Sequence, residues 1–136
     1  MSSFVVVDTD VFSRLWQNRK VAPAYVSALR GVTPVLSFTS VAEAYFGASY
    51  ANWGQRRRAE LEAAIRRYVI APYTPEIAVL WADLKSRARK TGHSLGQAQH
   101  TNDLWICATA IFHDSPLMTD NVRHFDGMPG LTLIRP

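Results

Sequence analysis

The stretch Phe4-Val5-Val6-Val7-Asp8 decides the fold of this chain. A continuous apolar run rich in β-branched residues is typical of a strand covered on both faces, as in a parallel sheet between two layers of helices. We therefore expect Phe4 to Val7 to form the central strand. Asp8 extends this buried strand, where desolvation of a charge is costly, and we expect it to have no local backbone role. Some other group must then stabilise its charge.

Short apolar runs and helical patterns alternate along the rest of the chain. Further strands are predicted at residues 35–38, 69–71, 117–119 and 131–134. Helices are predicted after a cap at Asp10, before a stop at Gly31, at residues 40–50 and 56–68, from a cap at Thr74 to a stop at Gly92, and at residues 104–112. This alternation predicts an α/β fold in which a parallel sheet has helices on both faces.

Length and composition favour a single domain over residues 1–136. A chain of 136 residues with 48% hydrophobic content can form one core and is short for two. No apolar stretch approaches the roughly 20 residues of a membrane-spanning helix, and the amino terminus does not resemble a secretion signal. We therefore expect a soluble, cytoplasmic protein without a membrane partner.

The chain carries a formal net charge of +4, and its basic residues are clustered. One cluster comprises Arg56, Arg57, Arg58, Arg66 and Arg67, and the other comprises Lys85, Arg87, Arg89 and Lys90. Both lie on predicted helices, where such clusters usually form a solvated face. They would also suit a polyanionic partner, of which nucleic acid is the commonest.

Four carboxylates occupy equivalent places in the pattern, where an apolar run ends and a helix begins. They are Asp8, Glu43, Asp103 and Asp120. The carboxyl ends of parallel strands gather around one crevice, so these distant residues are expected to meet there. Clustered acids repel each other unless protons or cations intervene, and oxygen ligands suit hard cations such as Mg²⁺ or Mn²⁺. The sequence thus predicts a metal-dependent hydrolytic site.

Three of the four acids also have an ordinary structural interpretation. Ser40 and Glu43 have the spacing of a capping box at a helix start. Asp103 lies in the first turn of a predicted helix, where it would interact with the helix dipole. Asp120 and Asn121 form a common turn pair. These interpretations do not explain why every strand end at the crevice carries an acid.

The histidines and the cysteine show no metal-binding spacing. The histidines are His93, His100, His113 and His124, and we expect them to be surface or packing residues. Cys107 lies in an apolar run and is expected to be a buried core residue.

Four segments of the chain, in order and spacing, resemble a known family. They are Val7-Asp8-Thr9-Asp10-Val11, Thr39-Ser40-Val41-Ala42-Glu43-Ala44-Tyr45-Phe46-Gly47, Asn102-Asp103-Leu104-Trp105-Ile106-Cys107-Ala108-Thr109-Ala110, and Leu117-Met118-Thr119-Asp120-Asn121 leading to Phe125. The family is the PIN domain, and within it the VapC-like toxins of type II toxin–antitoxin systems. The resemblance extends along essentially the whole chain and includes the terminal segment Pro129-Gly130-Leu131.

This resemblance implies a three-layer α/β/α fold with a mainly parallel sheet of four to five strands. It also implies a Mg²⁺- or Mn²⁺-dependent endoribonuclease with an RNA substrate, a cognate antitoxin and a homodimeric state. By motif match, the acidic quartet corresponds to Asp8, Glu43, Asp103 and Asp120: Asp8 and Asp103 as direct metal ligands, and Glu43 and Asp120 as ligands directly or through water. Thr119 and Asn121 match supporting polar positions.

The sequence departs from the family pattern at two places. Asp10 stands where asparagine or serine is common, so it is either a further acid of the site or a helix cap. Residues 96–101, before Asp103, form a longer segment than usual.

Two alternatives remain open at this point. A haloacid-dehalogenase-type phosphatase would use Asp8 as nucleophile and Asp10 as acid. A non-catalytic module would instead bind RNA or protein. Its candidate contact residues are the aromatic side chains Trp16, Tyr45, Phe46, Tyr50 and Trp53, which would otherwise pack in the core.

Overall fold

A single five-stranded sheet organises the computed structural model, which describes residues 3–17 and 19–134. The strands are β1 (Phe4–Val7), β2 (Thr33–Ser37), β3 (Val69–Ala71), β4 (Leu117–Met118) and β5 (Leu133–Ile134). Their order is β3-β2-β1-β4-β5, and every neighbouring pair is parallel. The predicted central position of β1 and the predicted parallel sheet are confirmed.

Within the described residues, seven α-helices connect or follow these strands. They are α1 (Thr9–Trp16), α2 (Pro23–Ala28), α3 (Phe38–Tyr50), α4 (Gln55–Ile65), α5 (Pro75–Thr91), α6 (Thr101–Phe112) and α7 (Val122–Phe125). The segment expected to be unusually long folds into two 3-10 turns, Ser94–Gly96 and Ala98–His100, directly before α6. The predicted second strand ends one residue early, because Phe38 is already helical.

Helix α5 shows how closely local sequence can fix an element. The Thr74 hydroxyl accepts a hydrogen bond from the Ile77 backbone N–H at 3.2 Å, and Pro75 occupies the first turn. At the other end, Gly92 has φ of 78°, a left-handed conformation that glycine adopts without strain. Both predicted ends of this helix are confirmed.

The sheet separates two apolar cores, as the uninterrupted valine run predicts. Val6 points into one core with α5 and α6, whose largest buried side chains there include Ile77 and Leu104. Val5 and Val7 point into the other core, against Phe12 of α1 and side chains of α2 and α4. Because successive side chains of a strand face opposite ways, β1 contributes to both layers. The predicted three-layer α/β/α architecture is confirmed.

Across residues 3–17 and 19–134, every helix is too short or too polar to cross a bilayer. Residues 1, 2, 18, 135 and 136 lie outside the described part of the chain. The assignment of residues 1–136 to one domain stays a prediction.

Candidate active site

The site lies where the strand order reverses, between β1 and β4. From β1, the chain adds β2 and β3 on one side of the sheet and β4 and β5 on the other. Helices that leave neighbouring strands in opposite directions open a crevice at such a switch point. Val7 and Met118 are paired at the ends of β1 and β4. Asp8 and Thr119, which follow them, therefore lie side by side at this crevice.

Asp8 is held by hydrogen bonds to both carboxylate oxygens. Oδ1 accepts from the Thr9 backbone N–H at 2.8 Å, which makes Asp8 the N-cap of α1. Oδ2 accepts from the Thr119 hydroxyl at 2.7 Å. The expectation that Asp8 has no local backbone role is wrong, and so is the assignment of the cap to Asp10, which lies inside the first turn. A helix that starts directly after the strand makes Asp8 its cap.

The negative charge of Asp8 is nevertheless poorly compensated. Burial raises the pKa of its carboxyl from the ordinary 3.8 to about 6, although the Thr119 hydrogen bond opposes this change. The charges of Asp103 and Asp10 raise the pKa further. Only 7% of Asp8 is exposed, so water can do little to screen this repulsion.

Glu43 reaches the same crevice from the first turns of α3. The cap of α3 is Ser37, whose hydroxyl accepts from the Thr39 N–H, so the predicted capping box at Ser40 is wrong. Glu43 instead accepts a hydrogen bond from the Thr9 hydroxyl at 2.9 Å. The Glu43 carboxylate therefore does not cap α3 and lies near the end of β1, next to Thr9.

Burial and neighbouring side chains shift the pKa of Glu43. Partial burial raises its pKa, a hydrogen bond from Thr9 lowers it, and the negative charge of Asp103 raises it again. The Asn102 side chain also donates to Glu43, and its hydrogen bond lowers the pKa. The net result is a raised pKa, as for Asp8.

Asp103 lies in the first turn of α6, as predicted, but its position is set by histidines. Its Oδ2 is 2.9 Å from Nε2 of His124 and 3.8 Å from Nδ1 of His100. The two imidazole rings pack against each other with centroids 4.3 Å apart. His100 and His124 are thus packing residues, as expected, and both also contact the Asp103 carboxylate.

Asp120 follows Thr119 at the crevice but is engaged differently. Its carboxylate forms an ion pair with Arg14 of α1. Tyr25 lies beside it, and burial together with the charge of Asp120 raises the pKa of the Tyr25 hydroxyl. That hydroxyl donates to the Thr119 backbone carbonyl. Asp120 is thus the acid of the predicted quartet whose charge a neighbouring arginine balances.

Supporting contacts hold the residues after β4 in place. The Thr119 hydroxyl, which donates to Asp8, also accepts from the Asn121 backbone N–H at 3.0 Å. Asn121 makes this contact through its backbone, and a supporting role of its side chain stays a prediction. Thr119 is fully buried, so this chain of hydrogen bonds is sheltered from water.

The donor set is suited to a hard divalent cation. Asp8, Asp10, Glu43 and Asp103 interact electrostatically as one group, and burial makes their mutual repulsion costly. All four offer carboxylate oxygens, the ligand atoms that Mg²⁺ and Mn²⁺ favour. A bound cation would lower this repulsion directly.

Several arginines of the first basic cluster contact side chains of their own surface. Arg66 forms an ion pair with Glu62 at 2.5 Å, and Arg56 is 3.5 Å from Glu60, both on the α4 side. The guanidinium of Arg57 lies 3.9 Å above the Trp53 ring. The first cluster therefore behaves largely as the solvated helix face that the sequence allowed.

The candidate contact aromatics also divide in two. Trp16 and Trp53 pack together with centroids 5.8 Å apart and belong to a core, as expected of helix-spaced aromatics. On α3, Tyr45, Phe46 and Tyr50 are exposed, and the rings of Phe46 and Tyr50 stack on each other. These three aromatics therefore form an exposed surface, defined here as the α3 aromatic surface.

Comparison with known proteins identifies the family. The model of the PIN domain matches residues 5–131 of this chain. The chain belongs to the PIN domain family. The resemblance read from the sequence is thereby confirmed.

Curated relatives are consistent with this assignment. Ribonuclease VapC2 of Haemophilus influenzae is 31% identical over 91 residues, which cover 67% of this chain and 66% of that protein, just under two thirds of its length. Ribonuclease VapC5 of Mycobacterium tuberculosis is 26% identical over 132 residues, which cover 96% of this chain and 93% of that protein.

Solved structures share the fold of this PIN domain. VapBC2 from Rickettsia felis, bound to a DNA fragment from its promoter, superposes with a TM-score of 0.80 at 21% identity and covers 96% of both chains. VapBC-1 from nontypeable Haemophilus influenzae superposes with a TM-score of 0.78 at 23% identity, again over 96% of both chains.

Several residues that contact the predicted acids were not assigned a role from the sequence. Asn102 and Thr9 adjoin predicted acids and could have been found by that adjacency. Arg14, Tyr25 and His124 could not, because their contacts join segments distant in sequence and depend on the orientation of whole helices.

Proposed function

We propose that this PIN domain is a divalent-metal-dependent endoribonuclease that hydrolyses RNA phosphodiester bonds and acts as the toxin of a toxin–antitoxin pair. The observation that carries the proposal is the buried Asp8 carboxyl, surrounded by the charges of Asp103 and Asp10 at the switch point of the sheet. The relatives named ribonuclease VapC support the reaction, and the related VapBC complexes support the partner.

Mg²⁺ or Mn²⁺ is the proposed cofactor, since PIN-domain nucleases depend on divalent metals and the crevice offers carboxylate oxygens. Asp8 and Asp103 would hold the ion, and Glu43 and Asp120 would complete its surroundings directly or through water. When bound, the ion lowers the pKa of a water molecule and offsets the negative charge of the scissile phosphate.

The other residues of the site position the carboxylates and accept a proton. The Thr119 hydroxyl fixes Oδ2 of Asp8, and the Asn121 backbone N–H fixes that hydroxyl. Thr9 and Asn102 orient the Glu43 carboxylate. Glu43, whose carboxylate these two side chains orient, is the group we assign to accept the proton of the attacking water.

Arg14 has a separate role in this proposal. Its ion pair holds the Asp120 carboxylate and brings a positive charge to the rim of an acidic crevice. An RNA phosphate that approaches the crevice is attracted by a guanidinium, which can bind phosphate oxygens in a bidentate manner. Asp10, exposed on the first turn of α1, adds negative charge near Asp8 and Glu43.

The α3 aromatic surface is the proposed contact for the antitoxin. Exposed aromatic side chains on one helix suit a partner helix that covers them. Phe46 is 67% exposed and Tyr50 is 81% exposed, so both lose much accessible area when covered. The homodimer and the cytoplasmic location remain predictions, the first of which light scattering of the purified protein tests.

RNA cleavage by purified variants tests the enzyme assignment. We expect cleavage with Mg²⁺ or Mn²⁺, none with EDTA, and none by Asp8→Asn or Asp103→Asn although both remain folded. Asp83→Asn is the matched control, because it changes an exposed aspartate on α5 and should cleave at the parental rate. If Asp8→Asn and Asp103→Asn both cut like the parent, the assignment is wrong.

Two other outcomes would support the alternatives instead. A phosphatase of the haloacid-dehalogenase type would accumulate phosphate on Asp8, and trapping of a phosphorylated Asp8 would favour that alternative. A non-catalytic module would bind RNA without cleaving it under any divalent metal. Neutralisation of toxicity by the product of an adjoining small reading frame would support the toxin role.

A further inference from the structure

The surroundings of Asp103 contain a group of ligands that the acidic crevice does not explain. His100, Asp103 and His124 each offer a ligand atom, and these three atoms lie within 4.8 Å of one another. Two are imidazole nitrogens, which hard cations such as Mg²⁺ disfavour and which zinc, cobalt and nickel ions favour. The acids of the crevice and this nitrogen-containing group therefore differ in the metals that they select.

We propose that His100, Asp103 and His124 form a second metal site that binds a divalent transition metal ion such as Zn²⁺ or Co²⁺ through two imidazoles and one carboxylate. The two nitrogens lie 2.9 and 3.8 Å from the same oxygen of Asp103. Ligand atoms around tetrahedral zinc are separated by about 3.4 Å, given bond lengths of about 2.1 Å. Adjustments of less than about 1 Å would bring these distances to that value.

The fold holds the three ligands in place before any ion binds. His100 and Asp103 are three residues apart at the start of α6, where side chains with this spacing share a face. Leu104, fully buried, fixes that turn to the core. His124 lies on α7 beside Phe125, which is 1% exposed and anchors the short helix. Prior positioning of ligands reduces the entropy cost of binding.

Access and coordination number also suit such a site. The side chains of His100 and Asp103 are 28% and 33% exposed, so an ion can reach them from solvent, whereas that of His124 is 11% exposed. Three protein ligands leave a fourth position for water or for an incoming phosphate oxygen, as in open zinc sites. Without a metal, the His124 ring instead hydrogen-bonds to Asp103.

Metal binding by tag-free protein tests the proposal without any use of RNA cleavage. Calorimetric titration with Co²⁺ gives stoichiometry and affinity, and visible absorption reports low-coordinate cobalt with nitrogen ligands. The background is Asp8→Asn, which removes one ligand of the acidic crevice, and no Mg²⁺ is added because it would compete for Asp103, which the two sites share. We expect one Co²⁺ per chain in this background.

Histidine variants then locate the bound ion. In the Asp8→Asn background, His100→Gln and His124→Gln should each weaken Co²⁺ binding by more than about 10-fold, since ligand loss costs more than loss of an outer contact. His113→Gln is the matched control, because His113 is exposed at the far end of α6 and should change nothing. Thermal unfolding in EDTA verifies that each variant is folded. If His124→Gln does not fold, because His124 is the more buried of the two, His100→Gln alone tests the site.

The outcomes are separable from those of the proposed function. Absence of Co²⁺ binding in the Asp8→Asn background, or equal binding by the histidine variants and their parent, overturns the second site and leaves the ribonuclease proposal intact. Conversely, a protein that binds Co²⁺ through the histidines but cleaves no RNA overturns the ribonuclease proposal alone.

Discussion

Replacement of Asp8 by asparagine should make the metal-free protein more stable, although it removes a proposed metal ligand. The carboxyl of Asp8 is 7% exposed, and its pKa in the folded protein is about 6, above the ordinary 3.8. At neutral pH the folded protein must therefore hold an ionised group that its surroundings disfavour. Asparagine has nearly the same shape and carries no charge.

The size of the effect follows from the two pKa values. The difference between 3.8 and about 6 corresponds to about 3 kcal/mol of folding free energy, at about 1.4 kcal/mol for each tenfold change. The asparagine amide nitrogen cannot accept the hydrogen bond from Thr119, and loss of that bond costs about 1 kcal/mol. We therefore expect a net gain of about 2 kcal/mol at pH 7.5 for Asp8→Asn.

The pH dependence identifies the cause. A carboxyl whose folded pKa is raised binds more protons in the folded state, so the parent loses stability as pH rises from about 4 to about 6 and changes little above. The penalty should be about half as large at pH 5 as at pH 7.5. Asp8→Asn lacks this loss, so the stability difference between variant and parent should grow with pH.

Urea denaturation in EDTA at pH 5.0 and pH 7.5, followed by circular dichroism, measures this difference. Asp83→Asn, at an exposed site on α5, is the control and should match the parent at both pH values. Addition of Mg²⁺ should stabilise the parent and have less effect on Asp8→Asn, since a ligand stabilises only the state that binds it. If Asp8→Asn is no more stable than the parent at pH 7.5, or its advantage does not change with pH, the electrostatic argument is refuted.

Three further experiments test separate parts of the structure. Thr119→Val removes the hydroxyl that donates to Asp8, so it should lower the free energy of unfolding by about 1–3 kcal/mol and weaken Mg²⁺ binding. Urea denaturation and calorimetry measure the two effects. Thr119→Ser keeps a hydroxyl and should retain both properties. Gly96→Ala places a methyl group 2.8 Å from the Arg89 backbone nitrogen and should cost about 1–3 kcal/mol, whereas Gly47→Ala, in open space on α3, should raise the melting temperature. The Cys107 thiol, whose pKa burial raises to about 12, should resist iodoacetamide in the native protein at pH 8 and react once urea unfolds it. Labelling of the native thiol at the unfolded rate would contradict its burial.

The sequence by itself determined the α/β class, the central strand and the best-defined helix. The valine run of β1 predicts burial on both faces, because only a strand between two helical layers hides every side chain. Thr74, Pro75 and Gly92 fix the ends of α5 through hydrogen bonds and dihedral angles that involve only near neighbours. Interactions of this kind are encoded locally, so local reasoning is sufficient to find them.

Tertiary structure decided how the acids are held and charged. Asp8 is paired with Thr119, 111 residues away, and Asp120 with Arg14, 106 residues away. His124 contacts Asp103 because α7 and the first turn of α6 lie close together in the folded protein. The sequence could place these carboxylates at one edge, since the ends of parallel strands share it. Their charge states depend on burial and on partners from distant segments, and those are fixed only when the layers pack.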